Sequence, residues 1–199
     1  NQQHVLVTGG SGYIGSHTVL SLLEAGFRVT VIDNLSNSHR SSLERVENLA
    51  DAKVDFHQLD VLDTQGLNKV FEANQFDSVI HFAGLKSVGE SVQQPLKYYQ
   101  NNVQGTINLC EVMEAHGVKK LVFSSSATVY GHPRALPVKE DMPTGIPTNP
   151  YGQSKLVVEQ VLEDLQKADP EWQIVILRYF NPVGAHESGT IGEDPYGIP

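Results

Sequence analysis

The chain has 199 residues, a formal net charge of −9 near neutral pH, 40% hydrophobic residues and 19% charged residues. This composition predicts a soluble globular protein with one substantial core, and the acidic charge without a basic cluster argues against nucleic acid as a partner. No run approaches about 18 consecutive apolar residues, so we expect no membrane span. The start lacks a signal-peptide pattern and there is one cysteine, so we expect a cytoplasmic protein without disulfides.

The N-terminus combines a short apolar strand, a glycine-rich turn over residues 8–15 and an amphipathic helix. The glycines are spaced as Gly9-x-x-Gly12-x-x-Gly15, or alternatively with Gly10 as the first member. Glycines in such a turn bring the backbone close to a pyrophosphate, which binds at the positive end of the helix. The segment therefore predicts a dinucleotide site.

The second predicted strand, 28–33, ends in a carboxylate, Asp33. This acid lies near the offset of about 20 residues at which a carboxylate binds the adenosine ribose hydroxyls. A carboxylate at that place repels a 2′-phosphate. We therefore expect NAD rather than NADP.

Apolar runs and helical patterns alternate along the rest of the chain. Strands are predicted at 4–7, 28–33, 54–59, 78–82, 121–123 and 173–177, and helices near 64–74, 95–115 and 151–168. Alternation of this kind predicts an α/β protein with a doubly wound parallel sheet. The proline-rich stretch 133–150 is predicted to be a loop.

Three serines, Ser124, Ser125 and Ser126, follow the apolar run of the fifth strand. Open α/β sheets bind their ligands at the carboxyl edge, so these hydroxyls are candidates for contact with a substrate hydroxyl. A serine-rich turn without such a role is the alternative interpretation.

Tyr151 and Lys155 lie four residues apart in a predicted helix, so their side chains share one face. A phenol has a pKa of about 10, and an adjacent ammonium favours the phenolate and lowers that pKa. The pair therefore predicts a base that takes a proton from an alcohol while hydride leaves the same carbon. An unrelated surface Tyr and Lys would show the same spacing, so the interpretation depends on the glycine turn and the serines.

Other chemistries have less support. His81 and His186 have no partners at metal-ligand spacing, so no metal site is expected. Cys110 falls on an apolar helical face, which indicates a core residue rather than a nucleophile.

The combination of glycine turn, strand-end serine and Tyr-x-x-x-Lys resembles the extended short-chain dehydrogenase/reductase family. Four longer phrases, at 81–91, 124–131, 149–152 and 177–186, resemble the UDP-glucose (UDP-galactose) 4-epimerases within that family. The resemblance covers residues 4–199, with Ser87 standing where alanine is expected. It implies a Rossmann-like fold and NAD-dependent epimerisation at C4 of a UDP-hexose through a transient 4-keto sugar.

The resemblance also implies residue roles. Tyr151 is the expected base, Lys155 lowers its pKa and holds the nicotinamide ribose, and Ser126 hydrogen-bonds the 4-oxygen. The expected NAD-binding residues are Gly9, Gly12, Tyr13, Ile14, Gly15, Asp33, Asn34, Asp60, Val61, Phe82, Ala83, Gly84, Lys86, Asn101, Ser124, Tyr151, Lys155, Tyr179 and Phe180. The expected substrate-binding residues are Lys86, Ser126, Thr128, Tyr151, Tyr179 and Asn181.

The resemblance further implies an NAD-binding domain over 1–181 and the start of a substrate-binding region over 182–199, with most of the substrate domain absent from the sequence. A homodimer through the helices near 95–115 and 151–168 is expected. Alternative activities are 4-epimerisation of a UDP-N-acetylhexosamine or UDP-pentose, dehydration of a nucleotide sugar, or NAD binding without catalysis. Ala127 and Thr128 stand where a dehydratase is expected to carry an acid pair.

Overall fold

The computed structural model describes residues 2–194, and its centre is a single parallel β-sheet. The strands are β1 His4–Thr8, β2 Arg28–Asp33, β3 Asp55–Gln58, β4 Ser78–His81, β5 Lys120–Ser126 and β6 Gln173–Tyr179. They lie in the order β3-β2-β1-β4-β5-β6, and all the pairings are parallel. This order confirms the doubly wound sheet, with its topological switch point between β1 and β4.

Helices connect the strands, as the alternating pattern predicted. They are α1 Tyr13–Glu24, α2 Arg40–Ala50, α3 Thr64–Ala73, α4 Val88–Gln93, α5 Pro95–Tyr98, α6 Gly105–Ala115 and α7 Pro150–Ala168. A π-helical segment, Tyr99–Gln104, joins α5 to α6, so the single helix predicted at 95–115 was wrong in this detail. None of the helices within residues 2–194 is long and apolar enough to cross a membrane.

Two helices were not predicted from the sequence. Helix α2 carries Leu43, Val46 and Ala50 at helical spacing toward the core, a pattern that the sequence interpretation overlooked. Helix α4 is six residues long and begins after Ser87, whose hydroxyl accepts a hydrogen bond from the Glu90 amide at 3.3 Å. The serine found where alanine was expected therefore caps a helix, a contribution of about 1 kcal/mol.

Alternate residues of the strands supply two separate cores. In β1, Leu6 packs into the core on the α3, α6 and α7 side, whereas Val5 and Val7 pack into the core on the α1 and α2 side. Because neighbouring side chains of a strand point to opposite faces, a continuous apolar run serves both layers. The two layers hold the carboxyl ends of the strands at one edge of the sheet, where the candidate site lies.

Candidate functional site

A cavity of about 1220 Å³ lies at the carboxyl edge of the sheet. Its lining includes the glycine turn, the ends of β2, β4, β5 and β6, and the start of α7. The sequence-predicted site residues all line this cavity, with Asp60 as the exception. One space therefore brings together the predicted dinucleotide and catalytic segments.

The glycine turn leaves no room for side chains. Gly9 has φ +70°, and a Cβ on it would lie 2.6 Å from the Ala83 nitrogen; a Cβ on Gly15 would lie 2.2 Å from the Gly9 oxygen. Gly10 does not line the cavity, and a Cβ there would lie 2.7 Å from Val31 in the core. The structure therefore favours Gly9, Gly12 and Gly15 as the members that face the cavity, with Gly10 required for packing.

Asp33 ties the end of β2 to this turn. One carboxylate oxygen accepts a hydrogen bond from the Ser11 amide at 3.0 Å, and the other accepts from the Leu35 amide and the Ser38 hydroxyl, both at 2.9 Å. A carboxylate has about four lone-pair sites, so Asp33 keeps acceptor capacity toward the cavity.

Three residues beyond the predicted Asn34 also line the cavity, and the sequence interpretation missed them. Ser36, Asn37 and Ser38 contribute polar groups there. Their signal in the sequence is a run of small polar residues directly after a buried strand.

Asp60 is placed behind the lining. Its carboxylate accepts from the Asn34 side chain at 2.7 Å and from the Leu62 amide at 2.8 Å. Asn34 and Val61 line the cavity themselves. In this structure Asp60 therefore holds Asn34 rather than facing the cavity.

The predicted loop before α7 delivers Tyr151 to the first turn of the helix. The Asn149 side chain accepts from the Gly152 amide at 2.9 Å, and Pro150 occupies the first helical position, so the sequence starts the helix here. The Ser126 hydroxyl lies nearby and accepts from the Thr128 hydroxyl at 2.9 Å. Burial raises the pKa of Tyr151, and the hydrogen bond with Ser126 opposes this increase.

Lys155 is buried one turn further along α7. Its Nζ donates to the Ser124 carbonyl at 2.8 Å and lies 4.9 Å from the centre of the Phe123 ring. Burial lowers the pKa of Lys155 to about 8. The sequence interpretation expected Lys155 to lower the Tyr151 pKa. In this structure burial raises that pKa, and the effect that opposes burial is the hydrogen bond with Ser126 rather than the charge of Lys155.

A buried histidine, His81, connects the floor of the cavity to α6. Its Nδ1 lies 2.6 Å from the Thr8 hydroxyl, and its Nε2 lies 2.9 Å from the Thr106 hydroxyl. Thr8 accepts from the Ala83 amide, and Thr106 donates to the Asn102 carbonyl. Burial lowers the pKa of His81 to about 3, so the ring is neutral. Because the Thr106 hydroxyl spends its proton on the Asn102 carbonyl, it accepts from His81, and this assigns the ring proton to Nε2. The sequence interpretation assigned His81 no role.

Two adjacent asparagines in the π-helical segment have different positions. Asn101 was predicted to bind the cofactor and lines the cavity. Asn102 is buried, accepts from the Leu85 amide at 2.8 Å, and donates to the Leu85 carbonyl and the Ser154 hydroxyl, both at 3.0 Å. Asn102 therefore fixes the loop after β4 against α7. The sequence interpretation missed this role because it assigned a function only to the adjacent Asn101.

The segment after β6 lies along the same cavity. The Tyr13 hydroxyl donates to the Gly184 carbonyl at 2.6 Å, Arg45 donates to the Thr190 carbonyl at 3.1 Å, and Ile191 is buried. Lys86 forms an ion pair with Glu193 at 2.7 Å. Residues 195–199 of the predicted substrate region lie outside the described residues.

Within residues 2–194, no group of three or more His, Cys, Asp or Glu side chains is placed to hold a metal ion. Burial raises the pKa of the Cys110 thiol to about 12, which makes a thiolate nucleophile unfavourable at neutral pH.

Known proteins resemble this chain closely. UDP-glucose 4-epimerase of Bacillus subtilis (strain 168) is 59% identical over 195 residues, which cover 98% of this chain and 57% of that enzyme. The crystal structure of UDP-glucose 4-epimerase from Bifidobacterium longum in complex with NAD+ and UDP matches with a TM-score of 0.97 and 56% identity, over 99% of this chain and 59% of that one. A UDP-glucose-4-epimerase from Stenotrophomonas maltophila, with bound NAD and formylated UDP-arabinopyranose, matches with a TM-score of 0.96 and 47% identity, over 100% of this chain and 59% of that one.

The chain thus spans somewhat more than half the length of these relatives. Residues 5–194 match the family described as the NAD dependent epimerase/dehydratase family. On this match the chain belongs to the NAD dependent epimerase/dehydratase family.

Proposed function

We propose that this chain is the NAD-binding and catalytic part of an enzyme that interconverts UDP-galactose and UDP-glucose at C4. The observation that carries the proposal is that Tyr151, Lys155 and Ser126 line the same cavity as the glycine turn. A proton acceptor and a dinucleotide site in one space are what the oxidation of an alcohol by NAD requires.

The residues present fit NAD. Gly9, Gly12 and Gly15 line the cavity without side chains, and Gly12, the N-cap of α1, has no side chain to cap the free amides of the first turn. A pyrophosphate fits such amides, and Asp33 keeps acceptor capacity for ribose hydroxyls. Bound NAD would supply the acceptor for the hydride that leaves C4.

Tyr151 is the proposed base for the sugar 4-hydroxyl. Because burial raises its pKa, the chain alone keeps the phenol protonated near neutral pH. The proposal therefore requires that further positive charge, from Lys155 together with the bound nicotinamide, favours the phenolate. Ser126 hydrogen-bonds the 4-oxygen, and Thr128 holds the Ser126 hydroxyl in place.

Lys155 is the proposed partner of the nicotinamide ribose. Its ammonium has three donors and spends one on the Ser124 carbonyl, so two remain for the cavity. Ser124, Tyr179 and Phe180 would then contact the nicotinamide end, in line with their places in the lining. The 4-keto sugar would turn within the cavity to present its other face, where it would receive the returning hydride from the reduced cofactor and the proton from Tyr151.

Two residues are proposed for the nucleotide-sugar diphosphate. Lys86 would exchange its ion pair with Glu193 for a phosphate, and Asn181 lines the cavity beyond β6. The domain division at 181/182, a homodimer and a cytoplasmic location are further proposals. Catalysis also draws on binding energy from remote parts of the substrate, so we expect NAD binding without useful turnover where the remaining part of the relatives is missing.

Dehydration is the less favoured activity. It needs an acid and a base to expel a hydroxyl, and beside Ser126 this chain offers Ala127 and Thr128. Of the three carboxylates that line the cavity within residues 2–194, Asp33 is bound to the glycine turn and Glu193 to Lys86, and Asp194 is the third. Epimerisation of a UDP-pentose is an alternative activity with some support, because the Stenotrophomonas relative binds a UDP-arabinopyranose derivative.

The test is conversion of UDP-galactose, followed by chromatography of the nucleotide sugars. It is run on the chain as it stands and on a fused polypeptide, in which the part of the Bacillus subtilis enzyme beyond the match follows residue 194. UDP-glucose is the expected product of the fused polypeptide, and a keto-deoxy sugar would indicate a dehydratase. If neither product forms although NAD binds, a non-catalytic NAD-binding role replaces the proposal.

A further inference from the structure

Glu159 is a buried carboxylate that does not line the cavity. Its side chain is 2% exposed. Arg178 donates to it through Nε at 3.1 and 3.2 Å and through Nη2 at 2.8 Å, and the Ser125 hydroxyl also donates to it. A buried charge with so many hydrogen bonds is fully compensated, so these three residues form one rigid unit, which we name the Glu159 clamp.

The Glu159 clamp joins three elements that carry site residues. Glu159 lies on α7 one turn after Lys155, and Ser125 lies on β5 between Ser124 and Ser126. Arg178 lies on β6 directly before Tyr179. The clamp therefore connects the strand ends to the helix; Ser125 is also part of the cavity lining, whereas Glu159 and Arg178 lie behind it.

Arg178 extends the clamp to the segment after β5. Its Nη1 donates to the Tyr130 hydroxyl at 2.9 Å, and its guanidinium lies 4.8 Å from the centre of the Tyr130 ring. Tyr130 ends the short 3-10 helix Ala127–Tyr130, which also carries Thr128. The planar guanidinium thus holds α7, β6 and the Thr128 turn at fixed separations.

The clamp also acts on Lys155 through charge. The negative charge of Glu159 raises the pKa of Lys155, against the larger lowering by burial. Lys155 also interacts with the buried imidazole of His81 on β4, whose pKa its charge lowers. Glu159 opposes the effect of burial on Lys155, so neutralising Glu159 leaves the lowering of the Lys155 pKa by burial.

We propose that Glu159 is a positioning residue for the proposed reaction: with Ser125 and Arg178 it fixes β5 and β6 against α7. In this way it sets the positions of Ser124 and Ser126 relative to Lys155 and Tyr151. The inference rests on the proposed function for its effect on turnover, but its effect on Lys155 is independent of the substrate.

The test compares Glu159→Gln with Glu163→Gln in the fused polypeptide. Glu163 lies one turn further along α7 and is exposed, so its variant controls for loss of a helix charge. The measured quantities are kcat and KM for UDP-galactose, NAD affinity, and the Lys155 pKa from NMR of 13C-labelled lysine assigned with Lys155→Arg.

We expect Glu159→Gln to lower kcat by about 10- to 100-fold, because misplacement by about 1 Å costs that much. NAD affinity and KM should change by less than about threefold, and Lys155 should titrate at a lower pH than in the parent. Glu163→Gln should match the parent throughout. A Glu159→Gln protein with parent kcat and parent Lys155 pKa, reduced only in thermal stability, would overturn the proposal.

If Glu159→Gln does not fold, Ser125→Ala tests the same clamp with a smaller change. It removes only the β5 contact, and a loss of kcat of about three- to tenfold is expected, against none if the clamp has no role in positioning. Should the parent protein have no activity on UDP-galactose, the proposed function fails, and the Lys155 titration still decides whether Glu159 acts on the lysine.

Discussion

The glycine turn and the α7 segment line one cavity, but they are built by opposite means. The turn works by leaving side chains out: at Gly9 and Gly15 a single carbon would overlap backbone atoms. The α7 segment works by burying charge: Lys155 and Glu159 are both nearly inaccessible, and Lys155 donates a hydrogen bond to β5 while Glu159 accepts hydrogen bonds from β6. A substitution in the turn therefore acts through steric overlap. A substitution in the α7 segment acts through electrostatics, and its effect on function varies with the size of the change in charge.

This difference affects how each half responds to substitution. Overlap with backbone cannot be relieved by a rotamer change, so the turn should tolerate almost nothing at those two positions. Buried charges respond to the charge, geometry and pH of their surroundings, so single substitutions on α7 should separate binding from turnover.

The largest effect on turnover is expected from removing the hydroxyl of Tyr151, in the first turn of α7. Tyr151→Phe in the fused polypeptide should lower turnover of UDP-galactose by about 10²- to 10⁴-fold, because the proposed base is lost. NAD affinity should stay almost unchanged, since the phenol is assigned to the sugar. Steady-state conversion and NAD titration measure the two effects, and near-parent turnover would reject Tyr151 as the base.

The steric half is tested by adding one methyl group. Gly15→Ala should lower the free energy of unfolding by about 2–4 kcal/mol and abolish NAD binding, because its Cβ would meet the Gly9 oxygen at 2.2 Å. Gly89→Ala in α4 is the matched control, since a Cβ there meets nothing within 4 Å. Urea unfolding of both variants gives the comparison, and equal stability of the two would contradict a steric role for Gly15.

The same difference explains which parts of the site the sequence revealed. The glycine turn and the Tyr151–Lys155 pair are local patterns, in which spacing along the chain fixes the geometry. Asp33 was also found by spacing, since it ends a strand at a typical distance from the turn. These predictions needed no knowledge of tertiary packing.

Glu159 shows what such patterns miss. At four residues beyond Lys155 it has the appearance of an ordinary helix-surface charge, and only the packing of β5 and β6 against α7 shows that it is buried. His81 was missed for the same reason, because its partners Thr8 and Thr106 lie on other elements. The break in the helix predicted at 95–115 was missed because its apolar pattern continues through the π-helical segment.

The electrostatic half is tested through pH. Lys155 has a folded-state pKa of about 8, below its ordinary 10.5, so the unfolded chain binds its proton more tightly. The free-energy cost of burying the protonated lysine is fully present below about pH 8, and it is relieved as the pH rises toward about 10.5. Lys155→Met should therefore be more stable than the parent at pH 7 by about 1–3 kcal/mol, after loss of the bond to Ser124.

This stability difference should shrink between about pH 8 and 10.5, because the parent alone loses its buried charge there. Urea unfolding at several pH values measures it. A difference that stays constant across this range would show that the lysine is not held at a lowered pKa, and the electrostatic description of the α7 segment would then be wrong.

The smallest effect is expected at Asp33, where the geometry of the glycine turn and a buried charge both contribute. Asp33 fixes the turn through the Ser11 amide, and its negative charge is proposed to select NAD over NADP. Asp33→Asn keeps the size of the side chain and removes the charge, so it should narrow the preference for NAD over NADP by about tenfold, or about 1.4 kcal/mol. Ser38→Ala is the matched control: it removes one hydrogen bond to Asp33 and keeps the charge, so the preference should stay as in the parent. Competitive titration with the two cofactors measures both variants. If Ser38→Ala narrowed the preference for NAD over NADP as much as Asp33→Asn, the placement of the loop rather than the charge of Asp33 would select the cofactor. Cofactor choice would then depend on shape, as NAD binding at the glycine turn does.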